Sequence, residues 1–461
     1  MEEPLLKKEP INLIPYLGTL SANFLSISIA TIFSWPSPSI PQLLSNNTDI
    51  NPLGRPITTF EESSIASLQS AGSIVGTIIA GIIADKLGLK RSLVICSLPI
   101  LASYMLIAYA RVAYLFLIAR FILGVSLGIN LSILPNYVSE IAEDFNRGFL
   151  GTSMGILGCI GHLLTYGVGP LVSIRTFAFI AMGSVLIFLI TFTPFFPESP
   201  YFLLTKNKFQ EARQSLRKIR SRGNIEKELI YLTRHIEKSK QTRSAWKDIL
   251  RLKSVRRGLV ISCGLHLLPH IIGMPILTIY LQPIAEASDT SIPPYIVSIF
   301  VAVAQMIATI IASLLTDKFG RKVFLYISTT GCTLSLFSLG YYFFYKTRDY
   351  DVSSIFWLPL VGLMGYFISI SIGYNTLPFV VSGEVFANNS KSVYMSIGTC
   401  VNLSFGYLLS SSFPFVVEYI GMSAIFFIFS GLSILGYFFL YFVVPETKGL
   451  SFQEIQILLN D

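Results

Sequence analysis

The chain has 461 residues, of which 52% are hydrophobic and 13% charged, with 34 Lys and Arg against 26 Asp and Glu. A soluble domain of this length carries about twice that charged share. The composition excludes a soluble enzyme, a disordered chain, a coiled coil and a disulfide-stapled secreted domain, and it fits a polytopic membrane protein. The five cysteines (Cys96, Cys159, Cys263, Cys332, Cys400) lie singly in apolar stretches. They read as small buried hydrophobes, not as a disulfide framework or zinc site.

In chain order, residues 1–10 mix acidic and basic side chains and read as a cytosolic terminus without the apolar core of a secretory signal. Six windows free of Asp, Glu and Lys follow: Ile11–Thr48, Ser63–Ala84, Ser92–Ala110, Val112–Ser139, Gly148–Ile174 and Thr176–Pro197, broken only by Arg120 in the fourth. Six more run over Gly258–Ala285, Thr290–Thr316, Val323–Tyr345, Val352–Gly383, Ser392–Val417 and Tyr419–Pro445. About 20 helical residues cross a bilayer core, and a lipid-exposed backbone must satisfy its own hydrogen bonds, so twelve helices are expected.

Between the sixes, residues 198–257 hold 17 Lys and Arg against 6 Asp and Glu. The excess places this segment and both termini in the cytosol. Its mixed charges and periodic Leu216, Ile219, Leu229, Leu232 and Ile236 predict amphipathic helices at the membrane face, not a nucleic-acid surface. The expected division is a 1–10 terminus, a 11–197 bundle, a 198–257 helical linker, a 258–445 bundle and a 446–461 tail. Asn46, in the sequon Asn46-Asn47-Thr48 of the first outer loop, is a candidate glycan acceptor.

Three polar signatures recur in order in the two halves. Asp85–Arg91 follows the second window and Asp317–Lys322 the eighth. Glu140 and Arg147 are spaced as Glu384 and Lys391 are. Pro197-Glu198-Ser199-Pro200 closes the sixth window and Pro445–Gly449 the twelfth. One such charge alone reads as an ordinary cytosolic flank. The repeated set (Asp85, Arg91, Glu140, Arg147, Glu198, Asp317, Arg321, Glu384, Lys391, Glu446) reads as a cytosolic gate, with pairs forming across helices and halves in one state and parting in another. Each exposed pair contributes about 0–1 kcal/mol, so a network is needed.

Together with Arg120-Phe121, Gly124, Gly128 and Tyr137–Glu140, these motifs resemble the sugar porter family of the major facilitator superfamily. The run Phe33–Pro41 is similar to its insect trehalose-transporter-like subgroup. The resemblance implies an all-α membrane protein of twelve transmembrane helices. These would form two six-helix pseudo-symmetric bundles with a cytosolic helical linker and a substrate site between the bundles. It also exposes departures. Leu89 stands where the family has Arg, Tyr201 ends the first Pro-Glu-Ser-Pro motif, and Lys391 replaces an Arg, keeping charge but losing the two-pronged geometry.

For the substrate site, the resemblance places Gln305, Asn402 and Phe379 where the family has Asn, Asn and Trp. It puts Gly155, Leu268, Pro269 and Met274 where amides are usual. Compensating polar groups are present: His266 and His270, four apart on one helix face, and Asn375 in a Gly/Pro-broken tenth span. For a lone histidine, the plainer reading is a bond to a neighbouring carbonyl. The pair lacks a third ligand at metal spacing.

No Asp or Glu lies between Ile11 and Thr48, where proton-coupled relatives carry an Asp, and no nucleotide-binding loop or catalytic constellation occurs. The expectation is a plasma-membrane facilitative uniporter of trehalose or a hexose. It would not be an enzyme, and would have no cofactor, metal or obligate protein partner, only a sugar and the bilayer. A same-fold carrier of another solute, a proton-coupled symporter and a sugar sensor are the alternatives.

Overall fold

The computed structural model describes residues 12–143, 146–220, 225–241, 253–289, 291–386, 391–448, 450 and 452–460. Every regular element among them is helical. Helices α1 (Ile14–Ala22), α2 (Phe24–Ser34) and α3 (Pro36–Leu44) run end to end as span one. Pro36 lacks the N–H that would bond to the Ile32 carbonyl four residues back, which leaves that oxygen to another donor.

Spans two to six are α4 (Thr59–Leu87), α5 (Leu89–Tyr109), α6 (Ala113–Ile141), α7 (Arg147–Val168) and α8 (Ile174–Phe195). α4 opens on a capping box in which Thr58 Oγ1 accepts from Glu61 N–H and the Glu61 carboxylate accepts from Thr58 N–H. Short helices α9 (Pro200–Thr205), α10 (Phe209–Ile219) and α11 (Ile225–Gln241) follow.

Span seven comprises α12 (Lys253–Ile271), α13 (Met274–Ile279) and α14 (Leu281–Ser288), with Gly273 at φ 85° joining the first two. Spans eight and nine are α15 (Pro294–Phe319) and α16 (Arg321–Lys346); span ten is α17 (Leu358–Ile372) with α18 (Leu377–Val385). α19 (Lys391–Phe442) has 52 residues, about 78 Å at 1.5 Å each and more than twice a bilayer core. It is divided by non-helical Gly421 (φ 80°, ψ 160°) into spans eleven and twelve. α20 (Phe452–Asn460) closes the described chain.

Among the described residues, ten stretches are long and apolar enough to cross a membrane. One of these is α19, which contributes two spans, and the jointed span seven adds the last, giving twelve.

Apolar packing forms one cluster from first-half helices around Trp35, Tyr104, Phe116 and Phe188. A second, mainly from second-half helices, surrounds Tyr342, Tyr366 and Phe426. In the first half, α4 and α6 touch backbone to backbone. A Cβ on Gly72 would lie 2.2 Å from the Phe121 carbonyl oxygen, and one on Gly124 2.1 Å from that of Gln69. Small residues permit this approach where apolar burial against lipid gives little driving force. The halves meet through α4 against α19 and α7 against α15.

The linker's apolar residues are used differently from the expectation of a membrane-facing surface. Leu216, Leu229 and Ile236 are buried with Leu203 and Leu204 in a cluster of their own, and Ile219 joins the first-half core. Arg220 fixes this layer to span four: Nη1 donates to the Ile141 carbonyl at 3.0 Å while Nε bonds Glu228 at 2.8 Å.

Candidate functional site

The two ends of the interface between halves differ. At the end away from α9–α11, neutral hydrogen bonds join them. Tyr166 hydroxyl donates to the Thr278 carbonyl at 2.9 Å, Gln282 N–H to Ser37 Oγ at 3.0 Å, and Ser63 hydroxyl to the Ser411 carbonyl at 2.5 Å. Midway, His162 Nδ1 donates to Gln305 Oε1 at 3.2 Å and Cys159 Sγ to Thr309 Oγ1 at 3.4 Å. Toward the basic end, spans two and eleven flank a mainly apolar groove of about 650 Å³ lined by Thr77, Ile78, Ser396, Ile397, Cys400 and Phe405, with Ile78, Ile397 and Phe405 exposed.

The predicted substrate residues fall into two groups. His266, His270, Asn402 and Phe379 come together. Asn402 lies between Gly398 and Gly406, each four residues away on one face of span eleven. A Cβ on Gly398 would lie 3.2 Å from His266 Nδ1, and one on Gly406 3.2 Å from His270 Nε2. The two glycines thus make room for the two imidazoles. Asn402 Nδ2 donates to the His266 carbonyl at 3.1 Å, His266 Nδ1 donates to the Ser262 carbonyl at 2.8 Å, and Phe379 meets the His266 ring edge-on at 4.8 Å.

This leaves His266 Nε2 and His270 Nδ1 buried without partners. Gln305 sits apart, bridging spans five and eight through His162, and Asn375 Nδ2 turns to Ser371 Oγ at 3.4 Å on its own span. Leu268 packs over Gly436 of span twelve, so its aliphatic side chain belongs to the helix packing. Ser262 and Ser382, whose hydroxyls meet at 2.8 Å beside His266, were not legible in the sequence because serine is common in every span.

The charged signatures are used in matching ways in the two halves. The Glu198 carboxylate accepts the backbone N–H groups of Lys90 and Arg91 at 2.8 and 3.3 Å, capping α5. The Glu446 carboxylate accepts those of Arg321 and Lys322 at 3.2 and 3.0 Å, capping α16. Both satisfy orphan donors at a helix N-terminus, where a negative charge is favoured. Partial burial works against the Glu446 carboxylate, but the N–H groups of Lys448, Lys322, Arg321 and Thr447 outweigh it and hold the group below its ordinary pKa of 4.5.

Arg321 Nη2 also reaches Glu384 Oε1 at 3.1 Å. The equivalent Glu140 instead accepts from the Ser199 hydroxyl. Asp85 and Arg91 are exposed. The side chains of Arg147, Asp317 and Lys391 lie outside the described residues. These gate contacts, Arg321 to Glu384 and the two glutamate caps, each stay within one half. Asn46 is exposed on the loop between α3 and α4. No group of three His, Cys, Asp or Glu side chains among the described residues is placed to hold a metal.

The pattern that defines the sugar (and other) transporter family matches residues 23–459. The chain belongs to this family. It is 31% identical to the facilitated trehalose transporter Tret1 of Bombyx mori over 97% of this chain and 89% of that protein. It is 29% identical to Tret1 of Polypedilum vanderplanki over 95% and 87%. The fold is similar to an inward-open structure of the xylose transporter XylE from E. coli, with a TM-score of 0.78 at 20% identity, over 96% of this chain and 99% of that one. The chain thus has the twelve-helix fold of the major facilitator superfamily.

Within this sugar transporter-family fold, Arg120 is the charge that the spans bury most completely. Nη1 donates to the Ile32 carbonyl at 2.7 Å, the oxygen that Pro36 leaves free, and Nε donates to the Ile65 carbonyl at 3.0 Å. Nη2 donates to Gln69 Oε1, and the guanidinium lies over the Trp35 ring at 5.5 Å. Arg120 therefore ties span four to spans one and two through neutral oxygens.

Proposed function

We propose that the chain is a passive carrier of a sugar, trehalose or a hexose, working by alternating access. In this reading the 11–197 and 258–445 bundles rock about a site between them, joined by the 198–257 linker. Both termini are cytosolic and the membrane is the plasma membrane. The Tret1 relatives support the substrate class, and membership of a transporter family supports a carrier over an enzyme.

The observation that carries the reading is a set of unpaired polar atoms. In span one Asn23 Oδ1, Ser26 Oγ and Ser28 Oγ, and in span seven His266 Nε2, His270 Nδ1 and Gln282 Oε1, are buried without partners. Spans one and seven touch through α2, α3, α13 and α14. Each such atom costs about 1–3 kcal/mol while unpaired, and a polyol is rich in groups that relieve the cost. The sugar contacts proposed are His266, His270, Asn402, Phe379, Gln305 and Asn375.

Two observations favour uniport over proton symport. Span one carries no carboxylate, and Arg120, a cation wholly buried in span four, is bonded to neutral oxygens. The test is uptake of labelled sugars by liposomes holding the purified protein and a trapped pH dye. Saturable uptake without acidification is expected, and His270→Ala should raise KM about tenfold, the equivalent of one lost hydrogen bond. Acidification that tracks sugar entry would establish symport. Saturable binding without flux would establish a sensor, and the absence of both for every mono- and disaccharide would point to a different solute.

A further inference from the structure

We propose that Arg120 and its neighbours form a binding site for one small monovalent anion of halide size. The site is built from four spans of the first half. Trp35 and the Ile32 carbonyl come from span one, Gln69 and the Ile65 carbonyl from span two, Tyr104 from span three and Arg120 from span four. Arg120, Trp35 and Tyr104 are wholly buried and Gln69 is 1% exposed. No carboxylate among the described residues forms an ion pair with Arg120, and the Tyr104 hydroxyl is its electrostatic neighbour.

The hydrogen-bond accounting gives the site its sign. A guanidinium has five N–H donors, and three have acceptors here: the Ile65 and Ile32 carbonyls and Gln69 Oε1. Because Gln69 presents its oxygen to a group that only donates, its amide orientation is fixed and Nε2 is the donor end. Gln69 Nε2, Trp35 Nε1 and the Tyr104 hydroxyl are all buried without a partner. The surroundings of one unneutralised positive charge are thus rich in N–H and O–H groups and short of acceptors.

Water brings donors and acceptors in equal number and no charge. A halide brings only acceptance, together with the missing negative charge, so it satisfies both deficits at once. An uncompensated buried charge is strongly unfavourable, and two carbonyl dipoles and one amide oxygen offset it only in part. The bound anion would pin the break at Pro36 to spans two, three and four. This inference does not depend on which solute is carried, and its test does not measure transport.

The test uses the intact protein with Trp246→Phe and Trp357→Phe, which leaves Trp35 alone of the three tryptophans. Halide is exchanged for gluconate at constant ionic strength. Bromide should quench Trp35 emission saturably, in competition with chloride. The unfolding temperature should rise saturably, on the order of 2 °C at ten times the half-saturating concentration. Gln69→Glu supplies an internal carboxylate against Arg120, so both halide responses should vanish while the protein in gluconate becomes as stable as the halide-saturated parent. Equal emission and equal unfolding temperature in halide and gluconate, quenching that never saturates, or a full halide response in Gln69→Glu would each overturn the proposal.

Discussion

The two halves build the same corner at the basic end and finish it differently. Gly88 (φ 93°, ψ 166°) and Gly320 (φ 101°, ψ 156°) each turn the chain between two spans. In each half a glutamate from beyond the last span, Glu198 or Glu446, accepts backbone N–H groups at the start of the next helix, one residue further along in the first half. Among the described residues, the second-half corner adds an ion pair, Arg321 to Glu384. The first half has buried Leu89 near that position, and its Glu140 turns to Ser199. The cap needs only a glycine and a carboxylate, because its other partner is the backbone. The ion pair needs one particular side chain, so a single substitution removes it. These contacts shape the end of each half on its own.

The strongest way to sharpen the comparison is at the two glycines. Both conformations lie in the region that L side chains rarely adopt, which costs about 1–3 kcal/mol for Ala. They differ in room. A Cβ on Gly88 would lie 2.5 Å from Glu198 Oε2 and 2.8 Å from the Phe202 ring, whereas one on Gly320 would lie 3.0 Å from Glu446 Oε2. Gly88→Ala should therefore lose stability by more than about 3 kcal/mol, and Gly320→Ala by less, read as unfolding temperatures of the purified variants. Equal losses would mean that the strain of the turn, and not the crowding at Glu198, sets the cost.

The corner also marks where sequence reading stops. The twelve spans were legible because a bilayer demands long charge-free windows, and the repeat was legible because charges are rare enough to stand out. The same rarity made Glu198 and Glu446 look like partners for other charges, whereas they bond to backbone N–H groups, which carry no sequence signal. The neutral closure through Ser37, Ser63 and Tyr166 was invisible for a similar reason, since the partner on the far side is a main-chain group in all three bonds. The Arg120 contact had a usable signal. Pro36 predicts a free carbonyl at Ile32, and Arg120 is the lone strong donor deep in a first-half span. Gly398 and Gly406, which carry no distinctive sequence signal, proved to be the space for His266 and His270 respectively.

A second way to separate the corners uses pH. The Glu446 carboxyl is held below its ordinary 4.5 by backbone N–H groups. A depressed folded-state pKa contributes stability that is fully present above the unfolded value and is lost as pH falls through the folded one. Acidification below about pH 4.5 should therefore loosen the second-half corner. Glu446→Gln should remove this part of the pH dependence while costing about 1 kcal/mol at neutral pH, a figure reduced by solvent screening. A variant whose unfolding temperature keeps the full acid dependence of the parent would break the assignment.

The smallest effect is the most direct on the difference between halves, because it asks whether the missing ion pair can be exchanged between them. Arg321→Leu gives the second half the first half's chemistry. It leaves Glu384, whose side chain is 27% exposed, without its guanidinium, at about 1–2 kcal/mol. Leu89→Arg does the reverse, and there the gain is limited: Leu89 is buried, Glu140 already has a hydroxyl donor, and a partly solvated pair contributes about 0–1 kcal/mol. Combined, the two substitutions move the pair from one half to the other. If the pair acts only within its own half, their effects on unfolding temperature should add to within about 0.5 kcal/mol. A larger coupling would mean that the corners sense each other across the interface, as a latch between halves requires.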